Sequence, residues 1–371
     1  MSQVLIPIQV LTGFLGSGKT TLLNYLLQQP EMSRTLVIIN EFGTIGLDHL
    51  LVTHSTENQE VIEISGGCIC CNLRSDLKKT LKDIGWRFSR EGKKQFDRVL
   101  IETTGLADPA PLLHTIMTDE FIAENYQLDS VVATFDAFNG METLNKHYEA
   151  IKQLAIADGI IMTKTDLISD TFLPGIKARL LSINPAAKYF EVQHGTLACE
   201  KLHNLSLLQK LLGSQLSDNA EYCKHISHWL RSDYYLNFSH PKHHLDEDIH
   251  HHDDIYSFSF SLDTPISLKG FDTLIALLKS LNGLDLLRSK GIINFIEHAK
   301  PMAFHGVQHV FHPLMELHDW PSSDRRTYLV FITHNITKEI LENLIERAFG
   351  IKHRAVENEV VKHASAELEV A

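Results

Sequence analysis

The sequence lacks any apolar run near the ~20 residues that a membrane-spanning helix needs. It has no Lys or Arg before Lys19, so the basic start of a secretory signal is missing as well. The expectation is a cytoplasmic protein that works away from membranes. Positive charge is in deficit: 34 Lys and Arg stand against 46 Asp and Glu, a net charge of −12. Phosphate-backbone recognition wants clustered positive charge, so nucleic acid is not an expected ligand. Cysteine is scarce, with five in 371 residues. Three of the five, Cys68, Cys70 and Cys71, fall within four residues. A disulfide framework spreads its cysteines along the chain, so this cluster points to metal or redox chemistry instead. No internal repeat is visible, and 44% hydrophobic with 22% charged residues is ordinary globular composition.

What is present is strand–helix alternation. Apolar runs at Ile6–Leu11, Thr35–Asn40, Val61–Ile64, Arg98–Glu102, Ser130–Phe135, Gly159–Thr163 and Lys188–Val192 predict strands. Helical periodicity lies between most of them, as at Leu73–Phe88 and Leu144–Ala157. This predicts an α/β domain over residues 1–213, with a mostly parallel sheet and helices on both faces. Residues 214–254 are polar and rich in His and Asp, and read as a linker with a loop. A small α+β C-terminal domain is expected over 255–350. Its strands are predicted at Ser257–Leu262, Ile292–Ile296, Gln308–Phe311 and Thr327–Thr333. One helix is capped by Ser267, and a second places Ile340, Leu341, Leu344, Ile345 and Ala348 on one face. Residues 351–371 read as a frayed tail.

Residues 13–20, Gly-Phe-Leu-Gly-Ser-Gly-Lys-Thr, match the phosphate-binding pattern G-x-x-x-x-G-K-[ST] between a predicted strand and a predicted helix. Backbone N–H groups from Gly13, Gly16, Ser17 and Gly18 onward to Thr21 would wrap the phosphates. Lys19 would reach the β and γ oxygens, and the Thr20 hydroxyl would ligate Mg²⁺. Glu102 ends a strand and is the candidate carboxylate for the Mg²⁺ shell. Gly105 follows it and could offer a backbone N–H to the γ-phosphate. Residues 163–166, Thr-Lys-Thr-Asp, fit the guanine-reading pattern [NT]-K-x-D. The Asp166 carboxylate would accept from N1–H and the 2-amino group of guanine, and the Lys164 stem would pack along the base. Adenine lacks that donor pair, so a buried carboxylate would reject ATP. His194 is a second candidate base contact.

Cys68, Cys70 and Cys71 supply up to three thiolates, which suit Zn²⁺ or another soft or borderline transition metal. Redox chemistry between neighbouring thiols is the alternative. His240, His243, His244, His250, His251 and His252 alternate with carboxylates and read as a low-affinity metal-collecting loop.

Taken in order, G-F-L-G-S-G-K-T-T, N-E-F-G at Asn40–Gly43, G-G-C-I-C-C at Gly66–Cys71, E-T-T-G-L-A-D-P at Glu102–Pro109 and T-K-T-D resemble the CobW-like GTPases, in their YjiA-like branch. Leu287–Gly291 and Phe304–Gln308 resemble that family's C-terminal domain. The resemblance implies a GTPase that binds and delivers a transition metal, often zinc. It also implies that Asn40–Asp48 is switch I and Glu102–Asp108 is switch II. Some relatives carry Glu at the positions of Ile39 and Thr44, where it joins a cysteine in metal binding; here the weight shifts to the three cysteines. Glu41 remains an auxiliary ligand or switch contact, and Glu41 and Asp48 are the switch I acids placed to orient water. The expected ligands are GTP or GDP, Mg²⁺, Zn²⁺ or another transition metal, and a client metalloprotein. Slow hydrolysis and a metal- or nucleotide-dependent homodimer are further expectations. The rival readings are a zinc store or sensor with an incidental GTPase, and a cobalt- or iron-linked cofactor-assembly GTPase.

Overall fold

A strand with apolar residues on both faces must be covered from both sides, and in this protein helices do the covering. The computed structural model describes residues 5–40, 61–63, 69–90, 93–203, 205, 255–281, 285–320 and 324–350. In chain order the first unit comprises β1 (Ile6–Gly13), α1 (Lys19–Leu27), β2 (Thr35–Asn40), β3 (Val61–Glu63), α2 (Ile69–Arg87), the short pair β4 (Ser89–Arg90) and β5 (Lys93–Lys94), and β6 (Arg98–Thr103). It continues with α3 (Ala110–Thr118), α4 (Glu120–Asn125), β7 (Tyr126–Asp136), α5 (Gly140–Lys146), α6 (Tyr148–Ala155), β8 (Gly159–Thr163), α7 (Leu173–Ile183), β9 (Lys188–Glu191) and α8 (Cys199–His203).

Seven of these strands form one sheet in the order β3-β2-β6-β1-β7-β8-β9, with every pairing parallel. Alternate residues serve opposite faces. Ile8, Val10, Ile38 and Ile101 pack in one layer with Leu113, Leu154 and Leu180. Leu11, Val37, Ile39 and Leu100 pack in the other with Leu22, Leu23 and Leu26 of α1 and Leu202 of α8. Because β1 is central and the chain leaves it in both directions, its carboxyl end opens on the crevice where ligands bind in such sheets.

The second unit comprises β10 (Ile255–Leu262), α9 (Leu268–Ser280), β11 (Leu286–Ile293), β12 (Met302–Val307), β13 (Val310–Phe311), β14 (Met315–Glu316), β15 (Thr327–His334) and α10 (Lys338–Phe349). Its antiparallel sheet runs β10-β15-β11-β12-β13, with β14 beside β12. Leu274 and Leu278 of α9 and Leu341, Leu344 and Ile345 of α10 close one face. Ser267 caps α9, its Oγ accepting from the Gly270 N–H at 3.1 Å. Among the described residues no helix is long and apolar enough to cross a membrane.

Four sequence expectations are corrected. Leu144–Ala157 is two helices, because His147 between them is extended (φ −134°, ψ 106°). The strand expected at Ile292–Ile296 runs from Leu286 to Ile293, and Ile296 lies outside it, 68% exposed. Gln308 is not in a strand: it turns the chain with φ 52° between β12, which periodicity did not reveal, and β13. Ile340 stays 40% exposed at the rim of its helix face. The second of these has a specific physical cause. β11 carries Arg288 and Lys290, two apart and so on one side of the strand, and both are buried.

Those two cations meet Asp158, which stands between α6 and β8 in the first unit. Arg288 donates through one Nη to Asp158 Oδ1 at 2.5 Å and through the other to the Ile156 carbonyl. Lys290 Nζ donates to the same Oδ1 at 2.9 Å. Asp158 Oδ2 accepts from the Val131 N–H at 2.9 Å, so both carboxylate oxygens are used. Burial pushes the Asp158 carboxyl up, but Arg288, Lys290 and the Val131 N–H more than reverse this and hold it below the usual carboxylate range. Leu287, Val307 and Ile332 of the second sheet join the core of the first around this triad.

Removing one member of a buried charge set leaves the others uncompensated, at a cost of about 3–5 kcal/mol. Asp158→Ala is therefore expected to lower the denaturant midpoint sharply. The triple change Asp158→Leu, Arg288→Met, Lys290→Met should recover most of the loss. Urea unfolding of the three proteins checks this; an Asp158→Ala chain as stable as wild type would contradict a buried, functioning triad.

Candidate functional site

The carboxyl edge of the parallel sheet collects the predicted nucleotide residues. All eight residues of β1 are buried, and the strand delivers Gly13 into the loop before α1. Gly13 has φ 139°, and a Cβ there would lie 2.2 Å from Thr134 Oγ1 and 2.6 Å from the Thr134 carbonyl, so only glycine fits. Ser17 Oγ donates to the Phe14 carbonyl at 2.7 Å and lies 2.6 Å from Thr134 Oγ1. These bonds brace the loop against β7. Lys19 Nζ donates to the carbonyls of Gly13 (2.9 Å) and Phe14 (3.2 Å), which holds the ammonium across the mouth of the loop. Gly18 precedes α1, and no side chain caps its first turn. That helix start leaves backbone N–H groups for an anion, with the helix dipole of the same sign.

β6 lies beside β1 with Glu102 opposite Leu11. Thr103 Oγ1 donates to Thr12 Oγ1 at 2.9 Å, locking the two strand ends together. Glu102 is buried at 3% exposure and Thr20 is half-buried at the second position of α1. A hydroxyl and a carboxylate are hard oxygen donors, and this pair fits a Mg²⁺ shell completed by phosphate and water. Gly105 packs directly on the loop: a Cβ there would lie 2.6 Å from Leu15 N and 2.8 Å from Leu15 Cα. Asp108 Oδ1 accepts from the Ala110 N–H at 3.0 Å at the start of α3.

At the end of β8, Thr163 Oγ1 donates to the Ser17 carbonyl at 2.7 Å, tying the base-side motif to the phosphate loop. Lys164 is left-handed (φ 56°), and its Nζ donates to Asp136 Oδ2 at 2.6 Å. Asp136 also accepts from the N–H groups of Phe138 and Asn139 at 2.9 and 3.0 Å. Burial raises its carboxyl, but the Lys164 bond and these N–H groups outweigh burial and leave it below the usual range. Asp166 follows in a short 3₁₀ turn, its side chain 23% exposed, with His194 Nδ1 3.9 Å from its Oδ2. His194 is left-handed (φ 51°) in the turn after β9. Gly13, Glu102, Gly105, Lys164, Asp166 and His194 thus lie at strand ends or in the loops leaving them, and Lys19 and Thr20 open the helix that follows β1.

Sequence reasoning missed Thr134, Asp136 and Gln153. Asp136 had a signal, a carboxylate at the carboxyl end of a strand. Gln153 had none, since a polar residue in an apolar helix face reads only as an interruption. Glu41, Asp48, Cys68 and the six histidines of His240–His252 lie outside the described residues. Cys70 and Cys71 are described by backbone alone, in the first turn of α2, which begins at Ile69 rather than near Leu73. Among the described residues no group of three or more His, Cys, Asp and Glu side chains is arranged to hold a metal ion.

A parallel sheet with this loop at its central strand defines a P-loop NTPase. Residues 7–191 match the family described as CobW/HypB/UreG, nucleotide-binding domain, and residues 255–349 match the cobalamin synthesis protein cobW C-terminal domain. The chain belongs to this CobW family of GTPases. It is 30% identical to the zinc chaperone YjiA of Escherichia coli over 338 residues, covering 90% of this chain and 96% of that one. It is 34% identical over 197 residues to the zinc-regulated GTPase metalloprotein activator 1 of Schizosaccharomyces pombe, covering 52% of this chain and 47% of that one. The crystal structure of Zn(II)-bound YjiA GTPase from Escherichia coli superposes with a TM-score of 0.64 at 25% identity, covering 93% of this chain and 99% of that one.

Two substitutions test the nucleotide site. Lys19→Ala should abolish productive GTP binding in isothermal titration, and near-normal affinity would contradict the assignment of the loop. Asp166→Asn should weaken GTP by about 1–3 kcal/mol or more while leaving ATP nearly unchanged, because a charge-assisted pair is lost. Xanthosine triphosphate should regain affinity for that variant. Equal competition by GTP and ATP for the wild type would defeat guanine selection.

Proposed function

We propose that the protein is a GTP-hydrolysing metallochaperone that binds zinc and delivers it to a client metalloprotein. One observation carries the reading. β3 lies two strands from β6 in the parallel sheet that carries the phosphate loop, and the next described element, α2, holds Cys70 and Cys71 in its first turn. This nearness in the chain to a strand of the nucleotide sheet supports a thiol site that responds to the nucleotide. Likeness to a zinc chaperone over nine-tenths of the chain supports the same reading.

In this mechanism the loop from Gly13 to Thr21 binds the phosphates through backbone N–H groups, and Lys19 neutralises the β and γ oxygens. Thr20 and Glu102 would hold Mg²⁺, which would draw charge from the phosphate oxygens. Lys164 and Asp166 select guanine, with His194 beside them. Gly105 offers its N–H to the γ-phosphate, and Glu41 or Asp48 orients the attacking water. Cys68, Cys70 and Cys71 hold zinc as thiolates with a fourth position open to the client, and the histidines from His240 to His252 gather metal loosely. The cytoplasm is the compartment in which such thiols stay reduced. A homodimer formed on metal or nucleotide binding is part of the proposal.

Replacing all three cysteines by Ser should remove one tight zinc site, because a serine hydroxyl stays protonated and is a poor zinc ligand. Deleting His240–His252 should lower zinc stoichiometry while retaining that tight site. Competition titration against a zinc indicator measures both. A triple Ser chain that keeps its tight site would overturn the thiol assignment.

A further inference from the structure

Among the described residues, helix α6 and its flanking residues touch the phosphate loop, the segment after β6 and the second sheet. At its start, His147 stacks on Phe14 of the phosphate loop, with ring centroids 4.6 Å apart. One turn on, Lys152 Nζ bonds Asp108 Oδ2 at 3.1 Å. The next residue, Gln153, is 1% exposed, and its Nε2 donates to the carbonyls of both Gly105 (3.2 Å) and Ala107 (2.9 Å). On the side of the second unit, Tyr148 packs on His334 with ring centroids 4.6 Å apart, and His334 Nδ1 lies 3.0 Å from Asp285. Just past its last turn, the Ile156 carbonyl and Asp158 are gripped by Arg288 and Lys290.

The chemistry of Gln153 gives this junction a direction. A buried primary amide is costly unless bonded, and its neighbours Ile151, Leu154 and Ala155 are core residues. An aliphatic side chain would fill the same space. What the amide adds is a two-pronged donor on two carbonyls of the segment between Glu102 and Pro109. Gly105 is held on its other side by the backbone of Leu15, where there is no room for a Cβ. A γ-phosphate drawing on the Gly105 N–H must then move the Gly105–Ala107 segment and α6 together, or break bonds in a dry site. The far end of α6 is fixed to the second sheet by charge-assisted bonds, which yield less readily than apolar packing.

Resting on the GTPase reading above, we infer that Gln153 is a positioning residue for hydrolysis and that α6 links switch II to the C-terminal sheet through Arg288. Hydrolysis and the posture of the C-terminal domain then become one coupled equilibrium, and each biases the other.

The experiment uses the full chain with GTP–Mg²⁺. Gln153→Met keeps the volume and removes the donor. It should lower kcat by about tenfold or more, while affinity for a non-hydrolysable GTP analogue stays within about threefold, the split expected when only the reacting geometry is lost. Arg288→Lys keeps the charge but loses the fork to Ile156. It should shift kcat in the same direction by a smaller factor, and the double variant should fall short of the product of the two effects. Hydrogen exchange on the wild type supplies an arm free of folding defects: amides of Leu286–Ile293 should exchange differently with GDP and with the analogue. Unchanged kcat in Gln153→Met, multiplicative effects in the double variant, or identical exchange in both nucleotide states would each overturn the relay. Failure of the wild type to turn over GTP would defeat the functional reading itself, whereas turnover indifferent to Gln153 defeats only the relay.

Discussion

The contact between the two described sheets centres on one carboxylate. Asp158 stands where α6 hands over to β8, and it takes both Arg288 and Lys290 from the second sheet while accepting the Val131 N–H of the first. Three charges in a dry seam are weak as a source of stability, since desolvation consumes most of their attraction. They act as a constraint, because a docking that buried Arg288 or Lys290 without Asp158 would leave a charge unpaired. The apolar neighbours Leu287, Val307 and Ile332 fill the space around the triad, and packing of that kind tolerates sliding. The triad is the part that specifies one position.

That constraint matters because of what lies at the opposite end of the first sheet. Oxygen donors and backbone amides stand at the ends of β1, β6, β7 and β8, and α2, with Cys70 and Cys71 in its first turn, is the next described element after β3. On the proposed reading, the oxygen donors for Mg²⁺ and the thiols for zinc are different residues and do not compete for ligands. Linking metal affinity to nucleotide state requires only that a change in phosphate bias the conformation around those cysteines.

The nucleotide half of this picture was legible in the sequence because its motifs are contiguous. Gly13–Thr20 and Thr163–Asp166 each carry their chemistry within a few residues, and the structure sets both at strand ends. The first sheet was legible because its strands are unbroken apolar runs. The second sheet was only partly so. β11 hides Arg288 and Lys290 inside what periodicity alone reads as a polar interruption, and their partner Asp158 lies 130 residues earlier, at a separation that no local pattern reports. Gln153 was illegible for the same reason: its two acceptors are carbonyls, and any residue type supplies a carbonyl. His147 split a helix that apolar spacing had joined, since spacing does not register a single extended residue. Contiguous chemistry reads from sequence, and chemistry assembled by tertiary contact does not.

The central claim is that zinc and GTP are bound by one thermodynamic system. The direct test measures the zinc affinity of the wild-type chain by indicator competition, once with GDP–Mg²⁺ and once with a non-hydrolysable GTP analogue. The measurement is then repeated as its reciprocal, analogue affinity with and without zinc. The account predicts unequal zinc affinities in the two nucleotide states, with the same factor returned in the reciprocal measurement, because linkage allows only one coupling free energy. Equal zinc affinity in both states would mean that the two sites are independent, and storage of zinc beside an unrelated GTPase would then describe the protein better than delivery.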